Sequence, residues 1–147
     1  MTPTAPAITA LIPANGTAGV PRSAVIDVLF DSELDPASVN STNFVLEGSV
    51  IPGSLVLNGD NTGFSFTPTD LLDYNKTYSV RMRAGGIKDP AGNGLASEIR
   101  ASFSTVSFPL PTLTSVAPDA GIQGTTPTVT FVGTNLATAS AVLSGNG

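Results

Sequence analysis

A short alternating stretch, residues 77 to 82, constrains the fold more than any other part of this sequence. The residues at 78, 80 and 82 are tyrosine, valine and methionine, whereas those at 77, 79 and 81 are polar. Because successive side chains of a strand point to opposite faces, this pattern predicts a β-strand with one face in a core.

The corner before this strand is equally informative. Leu72 lies six residues before Tyr78, and the residues between them are mostly polar. This spacing is similar to the tyrosine corner of β-sandwiches, in which a buried phenol bonds back to the preceding corner. We therefore predict that Tyr78 and Leu72 have structural roles.

Other short apolar runs are separated by turn-forming residues. In the strand predicted at residues 24–30, Asp27 facing water would place Ile26, Val28 and Phe30 in the core. No helical period is sustained over three turns, although Asp35 followed by Pro36 predicts the cap of a short helix. The predicted fold is all-β, an Ig-like Greek-key β-sandwich of about seven strands. The predicted strands cover residues 7–12, 24–30, 44–46, 50–57, 63–67, 77–83 and 98–105.

A proline-punctuated segment, Phe108 to Pro111, divides the chain into residues 1–107 and 108–147. Strands are predicted at 112–116 and 127–132. About 37 residues remain from Pro111, which is too few for a complete sandwich core. We therefore expect an incomplete second β-domain.

Composition excludes several functions. The chain has no cysteine and no histidine, which excludes disulfides, thiolate metal sites and any Ser-His-Asp triad. A net charge of −5 with only six Lys and Arg argues against nucleic-acid binding. No run is long enough to span a membrane, and residues 1–6 predict an extended linker and not a signal peptide. We expect a piece of a longer protein whose export signal lies elsewhere or has been lost.

The loop from Asp89 to Gly94 is the candidate metal site. Asp89 and Asn93 could offer oxygens to calcium, which prefers six to eight oxygen ligands. Alternatively, the loop is a turn in which Asp89 and Asn93 bond their own backbone. No other cofactor is expected.

The remaining acidic residues have similar alternatives. Asp31, Glu33 and Asp35 are a cation site or, alternatively, a helix cap beside two solvated carboxylates. Paired-carboxylate catalysis by this cluster, or by Asp70 and Asp73, would need a cleft and sugar-binding aromatics. The chain has no tryptophan, so we predict that it is not an enzyme and has no catalytic residues.

Two features could serve binding. Tyr74 is either an exposed sugar-stacking ring or part of the corner. Arg81, Arg83 and Arg100 either form a solvated sheet face or contact an anionic polymer.

Ordered motifs over residues 7–105 resemble the S-layer-type bacterial Ig-like domain. The matching segments are Pro13-Ala14-Asn15-Gly16, Val20-Pro21, Ile26-x-Val28-x-Phe30, Leu34-Asp35-Pro36-x-Ser38-Val39, Phe44-x-Leu46, Phe64-x-Phe66-x-Pro68, Leu72 with Thr77-Tyr78, Asp89-x-Ala91-Gly92-Asn93-x-Leu95 and Phe103-Ser104-Thr105. Residues 111–136 are similar to the start of an IPT/TIG Ig-like domain. That pattern is Pro111-x-Leu113-x-Ser115-Val116-x-Pro118-x-x-Gly121, Gly124-Thr125 and Val129-x-Phe131-x-Gly133-Thr134-Asn135-Leu136.

Both resemblances imply tandem arrays in exported or cell-surface bacterial proteins. We expect a structural spacer whose partners are neighbouring Ig-like domains of the same chain. The alternative is an adhesion module that binds a cell-surface glycan or protein, stiffened by calcium.

Overall fold

The computed structural model describes residues 4–48 and 51–137. It divides into two compact units, Met1–Ser107 and Phe108–Gly147. Residues 1–3 of the expected linker, Val50 of a predicted strand and residues 138–147 of the expected second domain lie outside the described residues.

The first unit is built from eight described strands and one turn of 3₁₀ helix. The strands are β1 (Ile8–Ile12), β2 (Thr17–Val20), β3 (Ile26–Phe30), β4 (Phe44–Glu47), β5 (Gly53–Leu57), β6 (Gly63–Pro68), β7 (Thr77–Met82) and β8 (Ile99–Thr105), and the 3₁₀ turn is Pro36–Ser38. They form two four-stranded sheets, sheet A in the order β1-β3-β6-β5 and sheet B in the order β2-β8-β7-β4. This confirms the predicted all-β sandwich.

The strand orders match those of an immunoglobulin constant-type domain, with one strand added to the second sheet. The added strand is β2, which pairs in parallel with β8. The sequence predicts only a connection there, because Thr17-Ala18-Gly19-Val20 carries no alternating large side chains. Long-range anchors hold it: Gly16 N–H donates to Ser102 O at 2.7 Å, and Ser102 N–H donates to the Asn15 side chain at 2.9 Å.

Aromatic rings join the two sheets. The ring centroid of Phe44, in sheet B, lies 5.3 Å from that of Phe64 in an edge-to-face arrangement and 5.2 Å from that of Phe66. Phe64 and Phe66 both belong to sheet A. Edge-to-face aromatic pairs add to the stabilisation that burial provides. In β3, Ile26, Val28 and Phe30 are buried, and the Asp27 side chain accepts a hydrogen bond from the Ser65 hydroxyl.

In the second unit, β9 (Thr112–Ala117) pairs antiparallel with β10 (Thr130–Thr134). Among residues 108–137, none is fully buried. The described part of this unit therefore has paired strands without a core of its own, and its resemblance to an IPT/TIG domain stays a prediction.

Candidate functional site

The corner before β7 is closed by one phenol. Tyr78 is 1% exposed, and its hydroxyl oxygen accepts a hydrogen bond from Asp73 N–H at 2.9 Å. Leu72 is also buried, and its N–H donates to Arg22 O at 2.9 Å. Alternation along β7 turns Tyr78 inward, where its ring lies 5.8 Å from that of Phe103. The corner thus has an apolar plug, the buried Leu72 side chain, and a polar latch, the hydrogen bond from Asp73 N–H to the Tyr78 hydroxyl.

The same corner is tied to the last strand. Thr105 Oγ1 donates to Asp73 O at 2.6 Å and accepts from Lys76 N–H at 3.0 Å. Asn75 N–H donates to Val106 O at 3.0 Å. The Lys76 ammonium, 3.0 Å from the Asp73 carboxylate, lowers the pKa of Asp73. The chain leaving β8 is therefore fixed to the corner.

Tyr74 belongs to this corner as well. The Arg22 guanidinium lies 4.1 Å from the centroid of its half-buried ring, and Arg22 Nε donates to Leu72 O. The Arg22 guanidinium covers one face of the Tyr74 ring, and a sugar would need a ring face in order to stack. The geometry favours the corner role over the sugar-stacking role for Tyr74.

The opposite end of the sandwich fixes the incoming chain. Ala7 N–H donates to the Asp31 carboxylate at 2.9 Å, and Asp31 N–H donates to Ala7 O at 3.0 Å. We call this end, marked by Ala7 and Asp31, the N-terminal end, and the end marked by Tyr74 and Val106 the C-terminal end.

The Asp89 loop lies at the N-terminal end and is closed on itself. Both carboxylate oxygens of Asp89 accept hydrogen bonds from Asn93, from its N–H at 2.8 Å and from its side-chain amide at 2.7 Å. Gly92, with φ +90°, donates its N–H to Asp89 O at 3.0 Å. The Asn93 side-chain hydrogen bond is the largest cause of a lowered pKa for Asp89. The arrangement is that of a self-bonded turn, and calcium binding at Asp89 and Asn93 stays a prediction.

Asp35 links this loop to the 3₁₀ turn. Its carboxylate caps the turn by accepting from Ala37 N–H at 3.0 Å, and its own N–H donates to Lys88 O at 2.8 Å. The buried Ser38 hydroxyl donates to Asp35 O at 2.7 Å and accepts from Lys88 N–H at 2.9 Å. The two loops of the N-terminal end are thereby cross-linked.

The carboxylates of the acidic cluster have separate local roles. Asp31 holds Ala7 and Asp35 caps the turn, whereas Glu33 is exposed. Within residues 4–48 and 51–137, no three acidic side chains are grouped so that they could hold a metal ion.

Four charged side chains, Arg81, Arg100, Glu47 and Glu98, form a ring on the outer face of sheet B. Arg81 lies directly opposite Arg100, an unfavourable pairing of like charges. Glu47 lies 2.6 Å from Arg81 and 3.1 Å from Arg100, and Glu98 lies 2.6 Å from Arg100. The hydrogen bond from Arg81 is the main cause of a lowered pKa for Glu47. Because each arginine is paired with a glutamate, the geometry favours the solvated sheet face, and contact with an anionic polymer stays a prediction. Arg83 lies beyond the end of β7.

The sequence predicts the arginine half of this ring, since Arg81 and Arg100 are expected on one outer sheet face. The two glutamates follow from the pairing of β4 with β7 and of β7 with β8, which sequence does not reveal.

None of the described helices is long and apolar enough to span a membrane.

The two sheet orders and the tyrosine corner define an Ig-like β-sandwich. The family model of the bacterial Ig-like domain matches residues 2–105, and the chain belongs to that family. No curated protein sequence matches it.

Solved structures share the fold at low sequence identity. An S-layer protein, SbsC, is 22% identical with a TM-score of 0.51, covering 78% of this chain but only 15% of the S-layer chain. CopC from Methylosinus trichosporium OB3b is 11% identical with a TM-score of 0.56, covering 71% of this chain and 97% of CopC. An L,D-transpeptidase from Mycobacterium smegmatis is 16% identical with a TM-score of 0.51, covering 70% of this chain and 41% of the other.

Proposed function

We propose that the first unit is a non-catalytic spacer module of an exported or cell-surface bacterial multidomain protein. One observation carries this proposal: the chain enters at Ala7 and leaves at Val106, at opposite ends of the sandwich. A module with this connectivity lengthens the polypeptide that contains it. A module with adjacent ends would instead fold the chain back.

The separation of the ends follows from strand directions. Ala7 is bonded to Asp31, which follows the end of β3. Val106 N–H donates to Val20 O at 3.0 Å, and Ala24 N–H, just before β3, donates to Pro21 O. The entering and leaving chains are thus separated by the length of β3, whose five residues span roughly 16 Å.

The pairing of β2 with β8 suits a module under tension. These two strands run in parallel, with Thr17 beside Phe103 and Val20 beside Thr105. Pulling the two ends of the unit apart would slide the strands along each other, so their hydrogen bonds would resist together. The self-bonded loops and the latched corner would keep both ends stiff.

Family and fold support the cell-surface setting. The chain belongs to the bacterial Ig-like domain family, and an S-layer protein is among the structures with the same fold. Calcium stiffening through Asp89 and Asn93, and binding of a glycan or protein through Tyr74 or Arg81, remain alternatives. Glycan-array or pull-down binding that is saturable and is lost on changing Tyr74 or Arg81 would favour the binding alternative.

Small-angle X-ray scattering tests the spacer function. Three copies of the 147-residue chain would be joined end to end and compared with one copy. A spacer predicts a maximum dimension that grows nearly in proportion to copy number at constant cross-section. A compact particle, whose maximum dimension grows only as the cube root of its mass, would contradict the proposal.

A further inference from the structure

Four strands lie at sheet edges in the described sandwich: β1 and β5 in sheet A, and β2 and β4 in sheet B. Exposed strand edges pair readily with other chains, so proteins protect them with bulges, charges or prolines. In β1 the register with β3 shifts between Ile8 and Ala10, and in β2 the register with β8 shifts between Thr17 and Val20. The β4 edge carries Glu47, which is paired with Arg81. Three of the four edges therefore have a protective feature.

The fourth edge, β5, has none of these features within its five residues. Pro52 directly precedes it, but the Pro52 carbonyl bonds towards β6, so the proline does not block the free edge. The β5 sequence, Gly-Ser-Leu-Val-Leu, contains no charge and no proline. It pairs with β6 over five consecutive residues without a shift in register. Val56 on its outer face is 61% exposed. A regular, neutral and apolar edge of this kind can accept a further strand.

The backbone groups available for pairing follow from the bonds at the two ends of β5. Asn58 N–H donates to Gly63 O at 3.0 Å, and Thr69 N–H donates to Pro52 O at 2.9 Å. Antiparallel bonding alternates, so residues 54 and 56 bond towards β6, and the N–H and C=O groups of residues 53, 55 and 57 point away from it. Three residues of β5 can therefore bond a neighbouring strand.

We propose that β5 pairs antiparallel with β5 of a second copy of this chain, about a two-fold axis at Leu55. This inference does not depend on the spacer function. The pairing would join two copies of sheet A into one continuous eight-stranded sheet. The resulting dimer is a closed assembly. Each copy uses its single β5 edge in the pairing, so no further copy can add there.

The regular, uncharged edge of β5 is complementary to a second copy of itself. With Leu55 on the axis, Gly53 lies opposite Leu57 of the other copy, so all the outward backbone groups meet in register. Ser54 lies opposite Val56 of the other copy on the outer face, where Val56 is covered. Since β5 is uncharged, no like charges meet across the axis.

Sedimentation equilibrium of the full chain tests this pairing. The wild type should approach twice its 14.8 kDa mass with increasing concentration. The double variant S54K/V56K places lysines directly opposite each other twice, and should raise the dimer Kd at least about tenfold. A mixture of S54K/V56K with S54E/V56E should form the dimer again, because each lysine then faces a glutamate.

Ile12→Lys is the matched control, since Ile12 is a similarly exposed aliphatic residue, 55% exposed, on the other edge of the same sheet. It should leave the dimer Kd within about twofold of wild type, and melting curves should show that all variants fold. A wild type that stays at 14.8 kDa would overturn the proposal. So would open-ended assembly, a dimer insensitive to S54K/V56K, or one weakened equally by Ile12→Lys.

Discussion

The hydroxyl oxygen of Tyr78 lies 2.9 Å from the backbone nitrogen of Asp73, and this hydrogen bond closes the corner between β6 and β7. The corner in turn holds the chain where it leaves β8, through Thr105 and Asn75. A single side chain thus connects the core to the point at which tension would leave the module.

Tyr78→Phe keeps the ring but removes the acceptor for Asp73 N–H. We expect a loss of about 1–2 kcal/mol in the free energy of unfolding, because a partly buried donor loses its partner. Urea unfolding measures this. Thr77→Ala, at an exposed position of the same strand, should change it by less than about 0.5 kcal/mol. Equal stability of the two variants would show that the latch contributes nothing.

Leu72 and Leu71 are neighbours with opposite environments, 2% and 58% exposed. Leu72→Ala should lower the free energy of unfolding by about 2–5 kcal/mol, since it leaves a cavity beneath the corner. Leu71→Ala should cost less than about 1 kcal/mol, because its side chain is largely in water. Similar losses for the two variants in urea unfolding would mean that the corner has no apolar plug.

The Asp89 turn should make stability depend on pH. Because the folded pKa of Asp89 is below the ordinary value of 3.8, its contribution is present above that value and is lost as pH falls through the lowered pKa. Asn93→Ala removes the main cause of the shift. The stability difference between wild type and Asn93→Ala should therefore be constant from about pH 7 to pH 5 and shrink below about pH 3.8. A difference independent of pH would contradict the assignment.

Calcium and the self-bonded turn make opposite predictions at this loop. Both Asp89 oxygens are already engaged by Asn93, so we expect thermal melts with calcium and with chelator to coincide. If calcium binds there, the melting temperature rises with calcium concentration through linkage, and Asp89→Ala abolishes the rise. That result would establish the calcium alternative.

The ring of charges on sheet B should be sensitive to salt. Glu47→Gln leaves Arg81 and Arg100 opposite each other with less neutralisation. The variant should therefore melt below wild type, with a larger difference at low ionic strength than at about 1 M salt, where charges are screened. Glu33→Gln, at an exposed position outside the ring, is the control. A salt-independent difference would indicate that packing, and not charge, is responsible.

The sequence predicts well those features that depend on local pattern alone, within one strand or one turn. Alternation assigns Tyr78 and Val28 to the core, and proline after Asp35 indicates the cap. Contacts between segments that are distant in sequence are harder to predict, because they depend on which strands become neighbours. The strand β2 exists through its pairing with β8, and the partners of Arg81 depend on which strands become neighbours. Tyr74 needed the position of Arg22, from a loop far away in sequence, to distinguish a corner ring from an exposed one.

The distance between the two ends of the sandwich tests the central claim most directly. The chain has no cysteine, so cysteines at Thr4 and Ser107 of the full chain would carry two spin labels uniquely. Pulsed electron–electron double resonance, combined with continuous-wave line broadening for short distances, should give a mean separation of roughly 16 Å or more, the length of β3. A separation of about 10 Å or less would place the entering and leaving chains side by side, and a module of that kind could not extend the protein that contains it.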